Sequence, residues 1–328
     1  MQIVHERCCG IDVHKKSVVA CVLITQEGGT VQREVRTYTT MTADLLMLRD
    51  WLESLNVQHV AMESTGVFWH PIYNILEDEE RTIILVNAQH IKAVPGRKTD
   101  VKDSEWLADL LRHGLLKASF IPPAPIRELR ELTRYRKTLV QERASEINRL
   151  QKVLEGANLK LAAVATDILG KSGRDMLNAV VAGQQDPQVL AALARGRLRP
   201  KIPELQRALE GRVKPHHRFL IEQILSHIDF LDQAIAKVYQ EVERCLAPFA
   251  EAITLLQTIP CINAIAAAII IAEIGADMTR FPSVKHLASW AGVVRCITRL
   301  NIPGTARKNS KGRSWVNGLP RVERQRGR

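Results

Sequence analysis

The chain has 328 residues, 46% of them hydrophobic and 25% charged, the make-up of an ordinary soluble protein with room for two or three domains and a full core. Lys and Arg number 46 against 35 Asp and Glu, a net charge of +11, which points to a polyanionic partner, nucleic acid before membrane. The cysteines (Cys8, Cys9, Cys21, Cys245, Cys261, Cys296) are dispersed without a CxxC pair, which excludes a zinc ribbon and reads as buried thiols in a reducing cytoplasm. Residues 1–7 lack the layout of a signal peptide. The longest apolar run, Ala264 to Ala272, falls far short of the about 20 residues of a membrane helix, so a soluble, cytoplasmic protein with no membrane partner is expected.

Cys8 to His14 has the short, apolar, β-branched character of a buried strand, with Asp12 inside it. Ser17 to Ile24 forms a second strand, Glu27-Gly28-Gly29 a turn, and Val31 to Tyr38 a third strand. These hairpin-linked strands predict an antiparallel meander. The period then switches: Thr42 can cap a helix that carries Leu45, Leu46, Leu48, Trp51, Leu52 and Leu55 on one broad face. His59 to Glu63 reads as a buried strand ending in an acid, Trp69 to Leu76 as a helix, and Thr82 to Val86 as a fifth strand. The order is βββ-α-β-α-β-α, mixed antiparallel and parallel, with the last helix carrying Asp100 and Asp103.

Four acids stand out. Asp100 and Asp103, in Lys98-Thr99-Asp100-Val101-Lys102-Asp103, share a helical face if a helix begins there. The plain alternative is that they cap that helix and meet its dipole. Asp12 lies within an apolar strand and Glu63 at a strand end, where an ionised carboxylate is costly unless paired or bound to metal. A solvated edge strand for Asp12 and a wet strand end for Glu63 are the alternatives. Converging oxygen ligands from separate elements are what a hard cation requires. Two Mg²⁺ ions held about 4 Å apart could activate one oxygen of a phosphodiester and stabilise another. His14, His70, His90 and His113 show no patterned spacing, and are read as structural or solvent-facing.

The segments Gly10-Ile11-Asp12-Val13-His14-Lys15, Met62-Glu63-Ser64-Thr65-Gly66 and Lys98 to Asp103 resemble the acidic motifs of DEDD-type insertion-sequence transposases, the IS110 group. The resemblance implies a RuvC-like, RNase H-like α/β domain over residues 1–120. In it Asp12, Glu63, Asp100 and Asp103 are the catalytic, metal-binding acids of a transposase that cuts DNA with Mg²⁺. Ser104 stands where the family often has Ala. Further implications are DNA partners (element ends and target), a guide RNA encoded in the element, and a homo-oligomer, dimer or tetramer.

Ile121-Pro122-Pro123-Ala124-Pro125 marks a boundary. Residues 126–250 form a helical, coiled-coil connector: a long helix from Ile126 to Leu154, then an irregular stretch, then a second long helix from near His216. The second has a seam of Ile224, Ile228, Leu231, Ile235, Val238, Val242 and Cys245. Two readings stay open for this pair: an intramolecular hairpin with a solvated basic face, or a dimerising coiled coil that lays cations along phosphates. Candidate nucleic-acid contacts are Lys98, Lys102, Arg127, Arg130, Arg134 and Lys137.

Residues 251–292 resemble the family's small, mostly α carboxy-terminal domain, with a helix-hairpin-helix-like turn before the apolar helix Ala264 to Ile274. Cys261 and Asn263 occupy positions where that turn has glycine. Residues 293–328 make a basic tail without apolar periodicity, expected to be disordered or the product of a shifted frame. The family's serine-containing loop is not found there, and neither Ser310 nor Ser314 matches it, so the nucleophilic serine is unassigned. Besides transposition, two functions remain: a RuvC-like nuclease or junction resolvase using water, and an inactive DNA-binding remnant of a transposase.

Overall fold

A computed structural model describes residues 2–26, 28–63, 66–78, 81–87 and 103–291. The chain divides into two compact units, Met1–Ile121 and Pro122–Arg328. Lys98, Asp100, Lys102, His90, Cys296 and the tail 293–328 lie outside the described residues.

In the first unit, β1 (Arg7–Val13), β2 (Ser17–Thr25), β3 (Val31–Thr39), β4 (His59–Glu63) and β5 (Thr82–Val86) form one sheet in the order β3-β2-β1-β4-β5. The first three strands are the expected antiparallel meander, whereas β4 runs parallel to β1 and β5 to β4. β1 is therefore the central strand, and the reading of Asp12 as an acid on a solvated edge fails. Successive side chains of a strand point to opposite faces. Cys9, Ile11 and Val13 accordingly pack under α1 (Thr42–Ser54) and α2 (Trp69–Leu76), against Leu45, Leu48, Leu52 and Ile72. Cys8 turns the other way and, with Cys21 and Ala61, meets Ala108 and Leu111 of α3 (Asp103–Arg112). Each fully buried leucine in these layers is worth about 1.5–3 kcal/mol.

Thr42 opens α1 but does not cap it. The cap position is Met41, which has no side-chain bond, and the strand before it is tied down instead by Asp44, which accepts from the backbone N–H and hydroxyl of Thr39. Of the cysteines, Cys8, Cys9 and Cys21 are buried as expected, with burial pushing the Cys8 and Cys21 thiols up to about 12. Cys261 is exposed, contrary to expectation.

The second unit is helical. α4 (Ala124–Gly156) pairs with α9 (Pro215–Leu246), and between them lie α5 (Leu161–Val164), α6 (Lys171–Val181), α7 (Pro187–Ala192), a 3-10 turn (Gly196–Lys201) and α8 (Ile202–Ala208). α10 (Ala250–Gln257), α11 (Ala264–Ile274) and α12 (Val284–Ala291) follow. Arg143 meets Asp232 and Glu146 meets His227, so the two long helices run antiparallel, as the intramolecular reading required. The seam of α9 is broader than the expected one: Ile228, Leu231 and Val242 are buried and Ile224, Ile235, Val238 and Cys245 partly so, and Ile221, Leu225 and Leu246 are buried besides, because a helix turning 3.6 residues at a time presents a wider stripe than strict a/d positions. One core joins Leu150 and Leu154 to Ile221, Leu225 and the short helices. A second joins Ile126 and Leu129 to Val242, Leu246, Ala268 and Ile271, so residues of the 126–250 and 251–292 segments share it.

α11 is held at both ends. The Asn263 side chain accepts from the N–H of Ala266, a cap that leads its first turn. At its far end Arg130 donates to the carbonyls of Ala272 and Glu273 at 3.0 and 2.9 Å, placing a cation at the negative end of the helix dipole. Arg134 grips both carboxylate oxygens of the buried Glu273 at 2.9 Å. Among the described residues, no helix is long and apolar enough to cross a membrane.

Candidate active site

Gly10 decides where the acids meet. It lies between Cys8 and Asp12 on the strand face that α3 covers. A Cβ built there would lie 2.3 Å from the backbone nitrogen of Ala108, 2.3 Å from the carbonyl oxygen of Ser104 and 2.9 Å from Cβ of Leu107. α3 thus rests directly on bare backbone, a close approach that only glycine permits. The helix runs antiparallel to β1: its last carbonyl, on Arg112, accepts from the N–H groups of Val4 and His5 at 2.9 and 3.2 Å. Its first residue, Asp103, accordingly arrives over Asp12 at the carboxyl end of the strand.

Glu63 comes to the same end by register. β1 and β4 are parallel with Ile11 opposite Met62, so Asp12 and Glu63 occupy the next step of neighbouring strands, on the face of Gly10 and Ala61. Carboxyl ends of parallel strands are where open α/β sheets bind ligands. The structure therefore sets Asp103 near Asp12 and, by register, Glu63 at the same level of the neighbouring strand. Asp100 is outside the described residues.

The Asp12 side chain is 19% exposed. Its pKa is raised: burial is the largest cause, and the nearby Asp103 carboxylate adds to it, against the opposing effect of His14. His14 Nε2 lies 3.1 Å from Asp12 Oδ2. This histidine is largely exposed, as expected of a solvent-facing residue, and in addition it touches the central acid. The one signal available was its position two residues after Asp12, which in an extended strand shares the same face.

All-carboxylate oxygen donors suit a hard divalent cation, and two like charges held at one corner are an arrangement that such a cation relieves. Among the described residues no three His, Cys, Asp or Glu side chains form a closed metal-holding group.

Of the candidate phosphate contacts, Arg127, Arg130, Arg134 and Lys137 lie on α4, and Lys98 and Lys102 lie outside the described residues. Arg127 donates to the carbonyl of Pro122 at 2.9 Å, Arg130 and Arg134 hold α11 as described, and Lys137 lies on α4. Other cations of α4 are engaged as well: Arg143 with Asp232, Arg149 with Glu146, and Arg136 over the Tyr239 ring.

A five-stranded sheet of this order and polarity, with acids at the carboxyl ends of its central strand, of β4 and at the start of the covering helix, defines an RNase H-like domain. A family model described as a DEDD-type IS110 transposase matches residues 9–159, and one described as the transposase IS116/IS110/IS902 family matches residues 253–299. Together they span more than half of the chain, which belongs to this family of transposases. No curated protein matches. Two solved structures are similar: Thermus thermophilus RuvC, at 12% identity, TM-score 0.27, over 34% of this chain and 99% of its own, and T. thermophilus RuvC with a Holliday junction substrate, at 11% identity, TM-score 0.25, over 35% and 100%. Likenesses this slight add no weight to the strand order itself.

Proposed function

We propose that this transposase cuts and exchanges DNA strands at the ends of an insertion element, with Asp12, Glu63, Asp100 and Asp103 holding divalent metal, two Mg²⁺ ions in the fullest form. The observation that carries this reading is the delivery of Asp103 onto Asp12 across Gly10. Carboxylates that converge from a strand end and a helix start offer the oxygen donors that a hard cation takes, which supports this reading. When bound, such ions supply an activated attacking oxygen and a stabilised leaving oxygen. The chain's own part is to fix the carboxylates on two strand ends and one helix start. His14 Nε2, 3.1 Å from Asp12 Oδ2, faces the same carboxylate from beyond the strand end.

Family membership supports DNA as the partner. Lys98, Lys102, Arg127 and Lys137 are the proposed phosphate contacts near this unit and on α4, with Arg130 and Arg134 holding α11 in addition. Assembly as a dimer or tetramer and use of a guide RNA rest on the family resemblance, and residence in the cytoplasm on the dispersed cysteines and the character of residues 1–7. A second reading, DNA binding without recombination, is favoured by one observation: no serine loop of the family is recognisable in residues 293–328.

Supercoiled plasmid carrying the element's ends, incubated with protein and Mg²⁺, tests the proposal. Strand exchange is expected, and Asp12→Asn is expected to abolish it while leaving a gel shift intact. Nicking alone would move the assignment to a nuclease or resolvase, and a gel shift alone to a remnant. Cleavage retained by Asp12→Asn would remove the four acids from the mechanism.

A further inference from the structure

The charge that marks this chain as a nucleic-acid binder is unevenly placed. Residues 1–121 carry 13 Lys and Arg against 16 Asp and Glu, so the unit with the acids has no net attraction for phosphate. On α4, Arg130, Arg134, Arg143 and Arg149 are already paired with carboxylates. By contrast, the span from Arg195 to Arg218 holds eight Lys and Arg and two Asp and Glu.

The structure shows what that span does with its cations. Leu198, Leu205 and Ala208 turn inward to the helical core, which leaves Arg197, Arg199, Lys201, Arg207, Arg212 and Lys214 exposed on the outer side. Among the described residues none of these six lies within 4 Å of a carboxylate. Arg195, the neighbour that does, pairs with Asp175 at 2.7 Å. The backbone beneath them is fixed: Lys160 N–H donates to Ala208 and Arg212 N–H to Ala157, both at 2.8 Å. Immediately after Lys214 begins the 32-residue helix α9, whose positive dipole end adds to the same field. Unscreened like charges on one rigid lobe repel, and a polyanion laid across them is what relieves that repulsion. Arginine in particular presents a planar fork that matches phosphate oxygens.

We infer that the lobe formed by the 3-10 turn Gly196–Lys201, α8 and the start of α9 is a DNA-docking surface, which grips the sugar-phosphate backbone of duplex DNA without reading its sequence. The inference rests on DNA being the partner of this transposase, and it assigns affinity to a place distinct from the carboxylates. Contacts of this kind carry register and affinity rather than sequence information.

The test uses the full chain with Arg197→Gln, Arg199→Gln and Lys201→Gln combined, and fluorescence anisotropy on a labelled DNA duplex in EDTA across a salt series. Weaker binding is expected, with the slope of log affinity against log salt shallower by about 0.9 for each phosphate contact removed. The corresponding triple Lys/Arg swap (Arg197→Lys, Arg199→Lys, Lys201→Arg), which keeps every charge, should retain the wild-type slope. Arg143→Gln, which alters a paired arginine of α4, should retain it too. Because the three side chains are exposed, an unchanged circular dichroism spectrum is expected and is checked first. Wild-type affinity and slope in the Gln variant would overturn the inference, as would a loss seen with an RNA duplex but not with DNA. Asp12→Asn, read in the cleavage assay, fails or passes independently of this outcome.

Discussion

Asp12 holds a pKa above that of an ordinary aspartate because burial, and then Asp103, disfavour its ionised form more than His14 favours it. Ionising a group whose folded pKa is raised costs more in the folded chain than in the unfolded one. In the metal-free protein this contribution therefore subtracts stability above the folded pKa, and the loss is recovered as pH falls through that value. Asp12→Asn removes the charge and should melt above wild type in EDTA near neutral pH, with the gap closing in acid. Thermal denaturation at the two pH values reads this directly. A variant that melts below wild type near neutrality would mean that the His14 contact outweighs burial. Such a gain on losing a functional acid is the usual mark of a site built for chemistry at the expense of stability.

At the scale of elements, the geometry turns on one contact between β1 and α3. Gly10→Ala places a methyl group 2.3 Å from two backbone atoms of α3, neither of which can rotate away, so the helix must shift. Overpacking of this sort costs typically about 1–3 kcal/mol. The shift would also carry Asp103 from Asp12, so cleavage should fall by more than the stability loss explains. Urea denaturation and the plasmid assay, run on the same preparation, separate the two effects. Full cleavage by a destabilised Gly10→Ala protein would show that Asp103 is not needed where α3 puts it. None of this spacing could be read from Gly10 itself, since a glycine in a strand pattern marks a bulge or a close approach equally well. The strands and the long helices were legible to within a residue or two because apolar alternation and Gly-containing turns stood out, whereas the stretch read as irregular between the two long helices holds four short ones. Four candidate acids could be picked out from the chain, one of them (Asp100) outside the described residues, but the contact of His14 with Asp12 could not, as a lone histidine carries no periodic signal.

For the whole molecule, two units with separate cores give calorimetry two transitions to resolve. If Mg²⁺ binds the carboxylates, it binds only the folded first unit and should raise one melting temperature, by an amount that grows with ion concentration. The other transition should stay fixed, and Asp12→Asn should cancel the shift. Movement of both transitions, or of neither, would count against metal at these acids. The net charge of +11 looked like a property of the whole protein. Ion pairing within the helical unit leaves it concentrated in particular places, the lobe around Arg197 to Lys214 among them.

Element types, the boundary near Ile121 and membership in a transposase family were settled by the order of residues, since hydrophobic period, turn residues and short acidic motifs are local properties that survive without a fold. Which strand is central, which face α3 covers, and which arginines are already occupied were decided only in three dimensions. Those outcomes depend on partners such as Gly10 and Ser104, or Arg134 and Glu273, that lie some 90 to 140 positions apart in the chain, and no local pattern can encode a contact whose other half is that distant.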